Sequence, residues 1–147
     1  MDVYKPEACE PVQWIVIFHP TTESRFVRFI CIGRFKHVSA LAYLHQLKCW
    51  ITYDVGFFGT RVTAVPDTQA HLLAPWVDGC TLVAMRKNPE GHRFPPILGW
   101  CVPSIRRLIG LRSSALRPDT LYRHCLRDGG QVINDRPIVE SPATNSS

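Results

Sequence analysis

A chain of 147 residues, 46% hydrophobic and 20% charged, has the size and balance of one globular domain, able to bury roughly 70% of the surface its unfolded form exposes. That balance excludes disorder as the state of the whole chain, and a net charge of +5 is a modest surplus that many proteins without acidic partners also carry. Apolar stretches such as Trp14 to Phe18 fall far short of the ~20 residues a spanning helix needs, so no membrane partner is expected. The opening residues, Met1 to Glu7, lack the basic-then-apolar layout of a secretory signal, which points to a soluble protein of the intracellular type.

Residues 1–12, with Pro6 and Pro11, read as an irregular lead-in. Trp14 to Phe18 is a short apolar run rich in β-branched residues, bounded by Pro20, and reads as a buried strand. Arg25 to Ile32 reads as a further strand, alternating Arg25 and Val27 with Phe26 and Arg28, and ending at Gly33. His37 to Leu44 and Cys49 to Val55 form the clearest hairpin, joined by the polar turn His45-Gln46-Leu47-Lys48. Thr60 to Val65 adds a strand stopped by Pro66. Asp67 is placed to cap a short helix over Thr68 to Leu73, which Pro75 should end. Cys80 to Met85 reads as a strand, and Lys87 to Gly99 as a loop punctuated by proline and glycine.

The C-terminal third changes period. Val102, Ile105, Leu108 and Ile109 fall at helical spacing, with Pro103 tolerated in a first turn and Gly110 at the end. A second helix starts at Pro118, gathers Leu121, Tyr122, Cys125 and Leu126 on one face, and stops at Gly129-Gly130. The tail from Arg136 to Ser147, rich in Pro, Ser, Thr and Asn, is expected to be disordered. Strands followed by helices predict an α+β fold: one domain over residues 1–135, with an antiparallel sheet of five to six strands and two C-terminal helices packed on one side.

Six cysteines (Cys9, Cys31, Cys49, Cys80, Cys101 and Cys125) are widely spaced and several sit in apolar runs, so they read as reduced thiols. Without a Cys-x-x-Cys or His-x-x-x-His pair, no metal site is expected. Cys101 stands apart because it follows Gly99-Trp100 at a predicted helix start. Backbone N–H groups there favour negative charge, which suits a thiolate and the oxyanion formed when it attacks a carbonyl. Pro103 removes one such donor and leaves those of Cys101 and Val102. A nucleophilic thiol needs a base, and His37, at the start of its strand, is the best candidate. Asp54, at the end of the neighbouring strand, is placed to orient the imidazole, with Thr52 or a backbone carbonyl as alternatives. His19 is a weaker candidate for the base, and Gln13 for a side-chain oxyanion donor. The opposing reading makes Cys101 a buried helix-start cysteine, His37 a strand terminus and Asp54 a strand-end residue.

Cysteine at a helix start, histidine at a strand start and a polar residue on the next strand resemble the papain-like fold and, within it, the small NlpC-type peptidases. Members of that superfamily usually place the cysteine helix first; here the histidine strands come first, which is similar to circularly permuted members. The run Gly99-Trp-Cys-Val-Pro-Ser-Ile-Arg-Arg-Leu-Ile-Gly-Leu-Arg, followed by Leu116-Arg-Pro-Asp-Thr-Leu-Tyr-Arg-His, also resembles small bacteriophage-encoded proteins. The resemblance spans residues 33–127. It implies a cofactor-free cysteine hydrolase or acyltransferase acting on amide bonds of peptide or peptidoglycan substrates, in the bacterial host cytoplasm or the virion. The alternative it implies is a non-catalytic virion or assembly protein that keeps the fold and contacts phage structural proteins. Arg106, Arg107, Arg112, Arg117, Arg123 and Arg127 supply cations for phosphate contact, but they lack interleaved aromatics, so nucleic acid is not the expected partner.

Overall fold

The computed structural model describes residues 11–22, 25, 29, 32–56, 59–88 and 100–134. Six strands form one antiparallel sheet: β1 (Gln13–His19), β2 (His37–Leu44), β3 (Cys49–Gly56), β4 (Gly59–Pro66), β5 (Thr81–Arg86) and the short β6 (Gln131–Val132). Their order across the sheet is β4-β3-β2-β1-β5-β6. The first four strands make a meander, and β5 returns to the free side of β1, so β1 is flanked on both sides and is buried along most of its length.

Among the described residues, three helices have full ranges, α1 (Ala74–Val77), α2 (Cys101–Ile109) and α3 (Pro118–Arg127), the last two where the sequence pattern puts them. Val102, Ile105 and Ile109 of α2 pack with Leu121 and Cys125 of α3 against Val16 and Phe18 of β1, Val38 and Ala40 of β2, and Val83 of β5. The two C-terminal helices therefore lie on one face of the sheet, as the sequence implies. The other face, around Ile17, Leu41 and Cys80, is covered by half-buried Leu73, Trp76 and Val77 from a 3-10 segment over residues 67–73 and from α1.

Several expectations are corrected. Asp67 makes no side-chain cap; the residue before the 3-10 segment is Pro66, and Asp67 is its first member. Pro75 does not end helical structure but sits in the first turn of α1, where a missing N–H costs nothing. Of the strand expected over residues 25–32, Arg25 and Phe29 are helical. A reading by alternation overlooked that Phe26, Phe29 and Ile30 also stand at i, i+3 and i+4, the spacing of a helix face. β6 was not expected at all; two residues are too few to show a period. Residues 1–10, residues 89–99 of the expected loop, and the tail over 136–147 lie outside the described residues.

The approach to β2 is fixed by α3. Asp119 in the first turn of α3 accepts hydrogen bonds from the backbone N–H groups of Arg34 (3.0 Å) and Phe35 (3.3 Å). Gly33, at φ +138°, lies so close to that carboxylate that a Cβ would collide with it. Phe35 is buried against Phe18 and Tyr122, with ring centroids 5.2 Å apart in each pair. Lys36 N–H then bonds His19 C=O at 2.8 Å, so the chain enters β2 in register.

Candidate active site

His37 is the first residue of β2 and pairs with His19, the last of β1. By strand alternation its side chain belongs with Ser39 and Leu41, on the face opposite Val38 and Ala40. Asp54 of β3 sits directly across from Ser39, one diagonal step from His37. The two meet: His37 Nε2–H donates to Asp54 Oδ1 at 2.6 Å, with 22% and 34% of the side chains exposed. A charge-assisted contact of that length is among the stronger kinds of hydrogen bond in a protein.

Cys101 arrives from the other layer, as the first residue of α2, whose body packs on β2 and β3. His37, as the first residue of β2, stands at the end of its strand. Cys101 is near enough to His37 to raise its pKa. With Nε2 committed to Asp54, Nδ1 is the nitrogen left for a second partner.

Burial alone would lower the pKa of His37. The hydrogen bonds to Asp54 and Cys101, with the charges on both, overcome it and raise His37 from 6.5 to about 9. Asp54 in turn is held below the usual carboxylate range, chiefly by its hydrogen bond to His37, against its own burial. The arrangement therefore favours an imidazolium beside the Asp54 carboxylate.

The backbone adds donors. Ser104 N–H makes the first turn bond of α2, to Trp100 C=O at 3.3 Å, and Pro103 has no N–H to give. The N–H groups of Cys101 and Val102 precede that bond and have no acceptor within the helix, so they point out of its first turn beside the thiol. Trp100 is 40% exposed and is tied down by its Nε1–H to Leu116 C=O at 3.3 Å, while Ser104 Oγ bonds Trp100 C=O at 2.9 Å. At the far end, Gly110 in the left-handed conformation closes α2, its N–H and that of Leu111 reaching back to the last carbonyls.

The other described cysteines are unsuited to attack. All four (Cys49, Cys80, Cys101 and Cys125) are free thiols, and Cys101 is the one that is not buried. Burial, reinforced by Asp128, pushes the Cys125 thiol up to about 12, and burial with the charge of Asp78 raises Cys80. Cys9 and Cys31 lie outside the described residues.

Cys101, His37 and Asp54 are thus brought together. Thr52 is not the third member: its hydroxyl bonds Thr63 C=O across the sheet. Gln13 is at the opposite end of β1 from His19 and does not reach the site. His19 lies beside His37, with ring centroids 5.3 Å apart, and binds Ser39 and Cys80. Sequence reasoning weighed His19 only as a substitute base and missed Ser39 and Cys80. The available signal was that antiparallel pairing of β1 with β2 brings the end of one strand to the start of the next. Among the described residues, no group of three or more His, Cys, Asp or Glu is arranged to hold a metal ion. No helix there is long and apolar enough to cross a membrane. No family model, curated protein or solved structure matches the chain.

Proposed function

We propose that this protein is a cysteine-nucleophile hydrolase or acyltransferase of amide bonds, with Cys101 as nucleophile, His37 as acid and base, and Asp54 as the group that orients His37. One observation carries the reading: the imidazole bonded to a carboxylate at 2.6 Å is also raised in pKa by the cysteine at the head of α2. The order of parts, with His37 on β2 and Asp54 on β3 preceding Cys101 on α2, agrees with a permuted papain-like plan.

The chemistry balances without an outside reagent. The Cys101 thiolate attacks the amide carbonyl and forms a C–S bond, while the N–H groups of Cys101 and Val102 receive the oxyanion. The intermediate collapses by breaking the C–N bond, and the leaving amine takes the proton from His37. A thioester on Cys101 remains. Water, giving its proton to His37, attacks the thioester and releases the acid and the thiolate. An amine in place of water makes the same step an acyl transfer. Peptides are the substrate class, and the phage-like C-terminal run makes peptidoglycan stem peptides the first to try.

The test is alkylation of each cysteine by iodoacetamide from pH 5 to 9, in wild type and in His37→Ala. Cys101 is expected to react first and fast below pH 7, and to slow by roughly tenfold or more at pH 6 in His37→Ala. Incubation with stem peptides should leave an acyl group on Cys101 that Cys101→Ala cannot carry. A Cys101 that reacts slowly and indifferently to His37 defeats the enzyme reading and leaves the non-catalytic assembly protein in its place.

A further inference from the structure

The acyl-transfer scheme leaves a second histidine beside the site without a role. His19, the last residue of β1, lies against His37 with ring centroids 5.3 Å apart and planes 36° from parallel, and against Trp76 at 6.0 Å. Both of its nitrogens are engaged. Nε2 is hydrogen-bonded to Ser39 Oγ at 2.6 Å, and Nδ1 to Cys80 Sγ at 3.2 Å. Ser39 is fully buried and Cys80 is buried at 7% exposure, so neither bond is open to ready exchange with water. A ring gripped at two buried points cannot swing without leaving polar atoms unpaired.

His37 needs such a neighbour. One hydrogen bond, from Nε2 to Asp54, fixes one end of the imidazole but leaves the ring able to rock about that bond, which carries Nδ1 toward or away from the sulfur. A flat, fixed surface lying against the ring removes that freedom. We propose that His19 is a positioning residue whose immobilised ring sets the angle at which His37 meets Cys101, an inference that rests on the cysteine-nucleophile reading.

A wall beside an imidazolium must also be uncharged. Burial, then the charge of His37, hold His19 down to about 4, with Asp54 opposing. The titratable groups around it are His37 on β2, Asp54 on β3 and Cys80 ahead of β5, the last kept protonated by burial and by Asp78; Trp76 of α1 brings no charge. His19 therefore stays neutral beside a protonated His37 from about pH 4 to about 9.

Two substitutions separate the ring from its hydrogen bonds. His19→Phe keeps a flat ring and loses both nitrogens; His19→Gln keeps a polar group near Ser39 and loses the ring. The measurement is the pH profile of Cys101 alkylation in the full chain, run beside wild type and His37→Ala. His19→Phe, which keeps a ring but frees it from both anchors, is expected to slow Cys101 by about threefold, and His19→Gln by roughly tenfold at pH 6, its profile moving toward that of His37→Ala. Equal slowing in both variants, or a wild-type profile in His19→Gln, overturns the positioning role while the wild-type dependence on His37 still stands. A wild type indifferent to His37 removes both proposals together. Ser39→Ala guards against His19 variants that fail to fold: it frees one nitrogen without removing the ring, and should slow Cys101 in the same direction by less. An unchanged profile in Ser39→Ala counts against the proposal.

Discussion

The proton on His37 is held by its neighbours against its surroundings. Burial works to remove it, and Asp54 and Cys101 keep it, with His37 raised to about 9 as the net result. Replacing Asp54 by Asn keeps the shape and takes away the charge, so burial is left with less opposition. The ring resonances of His37 followed by NMR are therefore expected to titrate near 9 in wild type and at least about one unit lower in Asp54→Asn. Titration near 6.5 in wild type, or no difference between the two proteins, would contradict the ion-paired description of the site. The same variant should slow Cys101 alkylation near pH 8, where the imidazolium beside Cys101 is then less populated. At this scale the sequence was informative about where Cys101 and His37 stand, since each opens its element, and about Asp54 near the end of β3. It was silent on Ser39 and Cys80. An alternating strand does not say which neighbour a buried serine will face.

Elements bring those residues within reach, and the loop before β2 is the one most exposed to a single change. Gly33 is in a left-handed conformation and packs on the carboxylate of Asp119, which binds the next two backbone N–H groups. An added methyl group meets both strain and collision there. Gly33→Ala is expected to lose about 1–3 kcal/mol in chemical denaturation, and to slow Cys101 alkylation because β2 begins with His37. A variant as stable as wild type would show that the loop can move off α3 without cost. Much of this scale was legible. β2, β3 and the turn between them fall where alternation and the polar His45–Lys48 stretch put them, and α2 and α3 where apolar spacing, Pro118 and the closing glycines put them. What failed had a weaker local signal: Arg25 and Phe29, where two periods fit the same residues, and β6, which exists because Val132 and Gln131 find Val83 and Ala84 across the sheet.

At the scale of the whole molecule, the site leaves a mark on stability. His19 binds its proton at about 4 when folded and near 6.5 when unfolded. Between those values the unfolded chain takes up a proton that the folded protein refuses, so stability rises with pH across the window and falls as acid is added. The full difference amounts to about 3 kcal/mol, complete near pH 4. His37 adds no slope there: its folded value of about 9 lies above the unfolded 6.5, so its contribution is fully present below 6.5 and is lost as pH rises through 9. Asp54, whose pKa is lowered, contributes stability that is lost only as pH falls through its own depressed value, below the window. His124, held down by burial and by the charges of Arg127, Arg123 and Arg106, slopes in the same direction as His19. The comparison that isolates His19 is urea unfolding of wild type and His19→Phe from pH 4 to 7. Wild type should lose stability steeply on the acid side, and His19→Phe should lose it more gently, whatever their difference at pH 7. Parallel curves would mean that His19 is no more reluctant to take a proton in the folded protein than in the unfolded chain. That would remove the neutral wall on which the alignment of His37 depends.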